Sequence, residues 1–157
     1  MSVLVLGHGE HGKDTFAEML AKKQELKFSS SSAAAFEVIL PVLLTIYPPT
    51  YPPEEIYADR RNQRELWRRL ILLYNTPDRS ALARHILKDN DMYVGMRSAE
   101  EFRASKHLFD KIYWVDARHR VGKVDESMGI RYTSDMIWVN NNGSVSELEH
   151  KVERMCG

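Results

Sequence analysis

The sequence predicts an α/β fold, a three-layer sandwich in which helices flank a mostly parallel five-stranded sheet. The chain opens with a short apolar run, a glycine-rich turn and a helical pattern, which together indicate a strand, a loop and a helix. Short apolar runs and longer helical segments then alternate along the chain. Ligands of such sheets lie at the carboxyl ends of the strands, so we expect functional residues directly after each strand.

The first third of the chain contains two predicted strands, two helices and a loop. Residues 2–6 are apolar and end at glycine, as in a strand that is buried on both faces. The next apolar positions oppose a lysine-rich side, which predicts a helix over residues 15–26. A short strand is predicted at residues 27–28 and a helix at residues 33–46. Four prolines between residues 48 and 53 then impose an extended loop.

The rest of the chain continues the alternation of strands and helices. Pro53 fits the first turn of a helix, and apolar residues at helical spacing extend this helix to about residue 74. Ser144 and Glu147 form a capping box that starts the last helix, which ends at about residue 155. Shorter patterns predict the other elements in this order: a helix over 77–87, a strand over 92–95, a helix over 99–108, and strands over 112–115 and 136–139.

The composition indicates one domain, residues 1–157, of balanced charge. The 22 Lys and Arg residues equal the 22 Asp and Glu residues, so phosphate chemistry must depend on local clusters rather than on a net field. The single cysteine, Cys156, indicates a reducing compartment. The longest apolar stretch, residues 38–47, is about half as long as a membrane-spanning helix. Because the chain also lacks a leader-like start, we expect a cytoplasmic protein with no membrane partner.

The segment that follows the first strand, Gly7-His-Gly-Glu-His-Gly-Lys-Asp-Thr15, fits the phosphate-binding pattern G-x-x-x-x-G-K. Its glycines let backbone N–H groups converge on phosphate oxygens, and Lys13 places a charge near the β- and γ-phosphates. An ordinary glycine-rich turn between a strand and a helix is the alternative. The pattern predicts the following nucleotide-binding residues: Gly7, His8, Gly9, Glu10, His11, Gly12, Lys13, Asp14 and Thr15.

The segment departs from the usual pattern at Asp14, where a hydroxyl normally holds Mg²⁺. Asp14 either binds the metal or stabilises the first helical turn through the helix dipole. Thr15 is then left to contact metal or phosphate. Asp116 follows an apolar run, as a carboxylate that positions Mg²⁺ does, and it would equally cap a turn. The candidate metal ligands are therefore Asp14, Thr15 and Asp116.

At these residues the chain resembles the phage-type deoxynucleoside monophosphate kinases, within the nucleoside monophosphate kinase group. The resemblance continues in three later segments, Met92-Tyr-Val-Gly-Met-Arg-Ser98, Trp114-Val-Asp-Ala117 and Asn140-Asn-Asn-Gly143, with Asp135 between the last two. It implies a P-loop NTPase sandwich that uses ATP and Mg²⁺. It also implies an acceptor-binding helical insert at about residues 48–90 and a lid at about residues 117–128. For a phage-encoded chain, the compartment implied is the host cytoplasm.

Residues at two other strand ends are candidates for binding an acceptor phosphate, because phosphoryl transfer needs positioned cations. The resemblance places Arg97 on that phosphate with Ser98 beside it, and the alternative is a surface arginine at a helix start. Four serines, Ser29–Ser32, follow the second predicted strand, with Ser29 and Ser30 first, and they either line the acceptor pocket or cap the next helix.

Five arginines and no lysine lie between residues 60 and 69. Arginine is preferred where phosphate is bound by two parallel hydrogen bonds, so the cluster favours a substrate site over a solvated helix face. On one continuous helix Arg61, Arg64 and Arg68 would share a face. The predicted substrate-binding residues are Ser29, Ser30, Asp59, Arg60, Arg61, Arg64, Arg97 and Ser98.

The basic segment after the strand at residues 112–115 is the predicted lid. The resemblance implies that Arg118 and Arg120 reach the transferring phosphate, and a basic surface loop is the alternative. Three asparagines end the last strand, close to the expected adenine: Asn140, Asn141 and Asn142. They either bind the purine edge, Asn140 in the first place, or only form the turn. The predicted catalytic residues are Lys13, Asp14, Arg97, Arg118 and Arg120.

Three functions remain open from the sequence. The first is an ATP-dependent phosphotransferase that moves the γ-phosphate to a nucleotide-type acceptor, a deoxynucleoside monophosphate in the first place. The second keeps the donor site and phosphorylates the hydroxymethyl group of a modified pyrimidine in DNA, with Asp59 or Asp14 as the candidate base. The third is a protein that binds a nucleotide without catalysis.

Overall fold

A computed structural model describes all 157 residues, and it contains a parallel sheet of four strands with helices on both faces. The strands lie in the order β2-β1-β3-β4. Their bounds are β1 Val3–Leu6, β2 Met92–Val94, β3 Lys111–Asp116 and β4 Ile137–Asn140. The helices are α1 Lys13–Gln24, α2 Ser31–Ile46, α3 Pro53–Ala58, α4 Arg64–Tyr74, α5 Ala81–Asp89, α6 Ala99–Ser105, α7 Arg118–Val121 and α8 Val145–Cys156.

Strand β1 lies inside the sheet because both of its faces are apolar. Val3 and Val5 point to one side and Leu4 and Leu6 to the other, and all four side chains are fully buried. β1 pairs in parallel with β2 on one side and with β3 on the other. The carboxyl ends of β1, β2 and β3 therefore meet at one edge of the sheet, where the site lies.

The helices form the two outer layers of a sandwich. On one face, α1 and α8 pack against the valines of the sheet through residues such as Phe16, Leu20 and Leu148. On the other face, α2 and α5 cover the leucines of β1 through Ala34 and Ile86. A smaller apolar cluster joins α2, α3 and α4, so these three helices share a second core.

The predicted mixed α/β class with a mostly parallel sheet is confirmed, but the predicted number of five strands is wrong. Residues 27–28 do not form a strand. Lys27 exchanges one backbone and one side-chain hydrogen bond with Asp91, just before β2. Because α2 begins only a few residues later, at Ser31, the segment has no length in which to form a ladder.

The helix predicted from residue 53 to residue 74 is divided into α3, a 3₁₀ turn at Asp59–Arg61 and α4. Asp59 accepts hydrogen bonds from Tyr47 Oη–H at 2.6 Å and from Asn62 Nδ2–H at 2.9 Å, and the backbone leaves the helical region at Gln63. Helix α5 begins at Ala81 rather than at residue 77, because Asp78 accepts from the Ser80 N–H and hydroxyl in a turn.

The longest helix, α2, has 16 residues, and no helix of the chain combines the length and the apolarity that crossing a bilayer requires.

Candidate functional site

The segment Gly7–Thr15, called the P-loop below, joins β1 to α1 at the carboxyl edge of the sheet. It curls through residues of positive φ at Glu10 and Gly12, and Gly12 is the N-terminal cap of α1. A Cβ atom on Gly12 would lie 2.4 Å from Asn141 Nδ2, so both conformation and space require glycine there. The N–H groups of the first turn of α1 have no intrahelical acceptor, and they are directed at the site.

His11 is buried and links the P-loop to two residues of the predicted lid, Ala117 and Lys123. Its Nδ1 accepts a hydrogen bond from the Ala117 N–H at 3.0 Å, so the ring proton lies on Nε2, which donates to Lys123 O at 3.1 Å. Nδ1 lies 4.0 Å from Asp116 Oδ1, but it is already an acceptor and forms no ion pair. The side chain of His11 thus has no nitrogen left for a phosphate, and it positions the loop.

Asn141 follows β4 and supports the P-loop from the other end of the chain. Its Nδ2–H donates to His11 O at 2.9 Å, and its own N–H donates to Asp116 O at 2.7 Å. The side chain is buried, so both groups depend on these bonds. The P-loop is therefore held by buried hydrogen bonds from the residues that directly follow β3 and β4, Ala117 and Asn141.

Lys13 folds back over the P-loop. Its Nζ–H donates to His8 O at 2.9 Å. Burial, together with the nearby Arg97 guanidinium, lowers the pKa of Lys13 from its usual 10.5 to about 8, against the opposite effect of Asp14 and Asp125. This environment favours an anionic ligand, because a negative charge beside the ammonium group stabilises its charged form.

The three candidate metal ligands occupy different environments. Asp14 and Thr15 are exposed in the first turn of α1. Asp116 is buried at the end of β3, and its Oδ1 accepts hydrogen bonds from Arg118 Nε–H at 3.0 Å and from the Arg118 N–H at 3.2 Å. No group of three or more His, Cys, Asp or Glu side chains is placed to hold a metal ion by itself.

Arg97 follows β2 and reaches across the sheet edge toward the P-loop. Its Nη1–H donates to Asp125 Oδ2 and to Ser127 Oγ. The same Asp125 oxygen accepts from the Gly9 N–H at 3.3 Å. Hydrogen bonds from Ser127, and then the Arg97 charge, hold the pKa of Asp125 well below its usual range. Arg97 and the P-loop thus share one carboxylate.

The two predicted lid arginines point in different directions. Arg120 Nε–H donates to Asn141 O at 3.1 Å, and one of its terminal nitrogens lies 3.8 Å from the Cβ position of Gly12. Arg118 is held by Asp116 and lies over the ring of Trp138, 5.6 Å from its centroid. Of the two arginines in the predicted lid, Arg120 is therefore the one next to the P-loop.

Asn140 does not face the P-loop. Its Oδ1 accepts from the N–H and the side chain of Asn142, and its carbonyl accepts from Lys151 Nζ–H at 2.6 Å. These contacts match the second of the two roles predicted for Asn140, the formation of the turn.

A cleft of about 1420 Å³ opens beside the P-loop and extends below α4. Glu10 and Gly9 lie at one end and Arg97, Ser98 and the segment 123–127 beside them. The wall opposite is arginine-rich: Arg60, Arg61, Arg64, Arg68, Arg69 and Arg79. The sheet edge thus places the P-loop, Arg97 and the predicted arginine cluster around one cavity.

The serines and the aspartate predicted for this cleft are placed differently from the arginines. Ser29 is exposed, and Ser30 caps α2 by accepting from the Ala33 N–H at 3.1 Å. The serines that line the cleft are the next two, Ser31 and Ser32. The Asp59 carboxylate stabilises the turn before α4, and its hydrogen bonds from Tyr47 and Asn62 lower its pKa.

The floor of the cleft carries a buried polar group that the sequence did not indicate. Glu101 accepts from Tyr93 Oη–H at 2.6 Å and from Asn75 Nδ2–H at 2.9 Å, while Asn75 Oδ1 accepts from the Leu82 N–H at 3.0 Å. Burial raises the pKa of Glu101.

Sequence reasoning also missed the supporting roles of His11 and Asn141 and the position of Asp125, because these contacts join residues more than 100 positions apart.

No protein-family model matches the chain, and no curated protein matches it significantly.

Proposed function

We propose that the protein is an ATP-dependent phosphotransferase whose acceptor is a nucleotide, in the first place a deoxynucleoside monophosphate. One observation carries the proposal: a P-loop with a half-buried lysine and a strand-end arginine meet at one sheet edge, beside an arginine-lined cleft. The P-loop supplies donors for the polyphosphate of ATP. The cleft supplies room and cations for a second anionic substrate.

Phosphoryl transfer depends on positioning and on stabilising the charge of the transferring group. On the donor side, the P-loop amides and Lys13 hold the β- and γ-phosphates. Arg120, the lid arginine close to Gly12, is placed to approach the same phosphates. On the acceptor side, Arg97 holds the acceptor phosphate, and an anionic phosphate acceptor needs no general base.

Mg²⁺ in nucleotide sites is held by one or two carboxylates and the substrate phosphates, with water completing its shell. Asp14 and Thr15 fit this pattern, since both are exposed residues at the end of the P-loop, in the first turn of α1. Asp116 has one oxygen already bonded to Arg118, so it fits a water-mediated role better than a direct one. When bound, Mg²⁺ supplies charge neutralisation at the β- and γ-phosphates.

The proposal is tested by incubating the protein with Mg·ATP and each of the four deoxynucleoside monophosphates and by measuring ADP. We expect acceptor-dependent turnover with at least one of them and a loss of about 10²–10³-fold in Lys13→Ala. Lys22→Ala is the matched control, because Lys22 is an exposed lysine in the last turn of the same helix. ATP binding without turnover on any acceptor would replace the proposal with a non-catalytic nucleotide-binding protein.

A second acceptor is favoured by the number of arginines in the cleft. The cleft holds six arginines besides Arg97, of which Arg68, Arg69 and Arg79 pair with Glu65 or Glu100. A DNA strand carrying a hydroxymethylated pyrimidine presents several phosphates to the remaining three. An alcohol acceptor benefits from a carboxylate base in the cleft, which Asp59 does not provide because it stabilises the turn before α4. Transfer of label from [γ-³²P]ATP to DNA containing 5-hydroxymethyluracil, with no turnover on free nucleotides, would select this acceptor.

A further inference from the structure

The segment 123–127, called the strap below, follows the lid helix α7 and lies against the P-loop. Asp125 Oδ2 accepts from the Gly9 N–H at 3.3 Å and pairs with Arg97 Nη1. Asp125 Oδ1 accepts from the N–H and hydroxyl of Ser127 at 3.0 Å and 2.6 Å. A negatively charged oxygen between a P-loop amide and a guanidinium has the charge and the hydrogen-bonding pattern of a phosphate oxygen.

Two more contacts hold the strap in this place. The Asp125 N–H donates to His8 Nδ1 at 3.2 Å, and Lys123 O accepts from His11 Nε2 at 3.1 Å. The side chain of Asp125 is 20% exposed, whereas its neighbour Glu126 is exposed and takes no part in these contacts. The strap thus presents one of its two acidic side chains to the P-loop and the other to solvent.

We propose that Asp125 competes with ligand phosphates for the Gly9 amide and Arg97, so that the strap has to move before an anion binds between them. The inference rests on the proposed function for the nature of that anion. Two negative groups cannot share one N–H donor at contact distance, since their repulsion is only partly screened at such a site. The wild-type protein therefore binds polyphosphates more weakly than its cations allow.

Gly122 provides a hinge for this movement. Gly122 precedes the strap with a φ of +68°, and nothing lies within 4 Å of the position of its Cβ. Moving residues 124–127 breaks the hydrogen bonds of Asp125 with Gly9 and His8 and one partly exposed ion pair, which cost little individually, while Lys123, next to Gly122, keeps its bond from His11. A bound phosphate can replace them with charge-assisted bonds from the same donors.

The test compares three proteins, the wild type, Asp125→Asn and Glu126→Gln, by isothermal titration calorimetry with inorganic triphosphate and with ADP. Each variant removes one negative charge from the strap, but only Asp125→Asn removes the competing carboxylate. We expect Asp125→Asn to bind inorganic triphosphate about three- to tenfold more tightly. Glu126→Gln should stay within about twofold of the wild type, since its charge is solvated.

Equal affinities in Asp125→Asn and Glu126→Gln would overturn the inference, and so would weaker binding in Asp125→Asn. Ser127→Ala keeps the charge of Asp125 and removes one hydrogen bond that holds its carboxylate, so it should tighten triphosphate binding about twofold. This variant replaces Asp125→Asn in the test if Asp125→Asn does not fold. The result is independent of catalysis. A gain in triphosphate affinity without turnover would keep the inference and refute the phosphotransferase, whereas turnover without the gain would do the reverse.

Discussion

The P-loop side and the arginine side of the cleft are held in place by different kinds of contact. On the P-loop side, the buried side chains of His11 and Asn141 bond to backbone groups, and these bonds restrict the conformation of the loop. On the other side, Arg64 is exposed, while Arg68 and Arg69 pair with Glu65 on their own helix. Buried bonds fix a backbone, whereas exposed arginines keep their rotamer freedom. The site thus combines one rigid wall with one adaptable wall.

The largest effect is expected from a methyl group added to the rigid wall. Gly12→Ala should lower the free energy of unfolding by about 3–4 kcal/mol, because it adds the cost of positive φ and displaces the buried Asn141 amide. Gly122→Ala is the matched control, with positive φ and open space, and should cost only about 1–2 kcal/mol. Urea denaturation measures both values, and equal losses would contradict a rigid contact at Gly12.

A smaller loss of stability is expected when the hydrogen bonds between the P-loop and the predicted lid are removed. His11→Ala leaves the Ala117 N–H and the Lys123 carbonyl without their partner and should destabilise the protein by about 2–3 kcal/mol. The control is His119→Ala, since His119 is exposed on α7, and it should change stability by less than about 0.5 kcal/mol. If thermal unfolding gave the same midpoint for both variants, the P-loop would not depend on His11.

The charge of Lys13 should make anion binding depend on pH. Its pKa of about 8 means that the free protein loses this charge above pH 8, so affinity for inorganic triphosphate should fall by up to about tenfold between pH 7 and pH 9. Lys13→Arg stays charged and should remove this component of the pH dependence. A parallel decline in both proteins would assign the titration to another group.

The lowered pKa of Lys13 affects stability in the opposite direction to anion binding. Between pH 8 and 10.5 the unfolded chain binds more protons at Lys13 than the folded one, so the contribution of this lysine to stability rises with pH in that window.

The smallest effects are expected on the adaptable wall. Arg64→Ala should raise the KM of the acceptor about two- to fivefold and leave the unfolding free energy within about 0.5 kcal/mol, because neighbouring arginines can take over part of its role. The control is Arg154→Ala, an exposed arginine on α8. Steady-state kinetics measures the KM, and urea denaturation measures the free energy of unfolding. If Arg64→Ala destabilised the protein as strongly as His11→Ala, the arginine side of the cleft would not be adaptable.

The sequence predicted the parts of this site that depend on local pattern. The apolar run of β1, the loop from Gly7 to Lys13 and the start of α1 follow from neighbouring residues, and so does the arginine cluster. The helical break at Gln63 was missed because Asp59 is stabilised there by Tyr47, which precedes it by 12 positions. Of the two roles predicted for the serine stretch, Ser30 caps α2, and Ser31 and Ser32 line the cleft.

Contacts between distant parts of the chain were beyond sequence reasoning. Asp125 stands in a polar stretch whose composition resembles any surface loop, and only the fold brings it to Gly9 and Arg97. Residues 27–28 looked like a fifth strand because an apolar residue next to a lysine cannot show how soon the next helix begins.

The bond from Asn141 to His11 O spans 130 positions, so the first loop of the chain is completed by one of its last segments. A nascent chain that has emerged only through β3 contains every P-loop residue and still lacks this support. A contact of such sequence separation costs loop-closure entropy, so we expect it to form after the local contacts of β1 and α1. The capacity to hold a polyphosphate should therefore appear together with the docking of β4, and it would report the end of folding rather than its beginning.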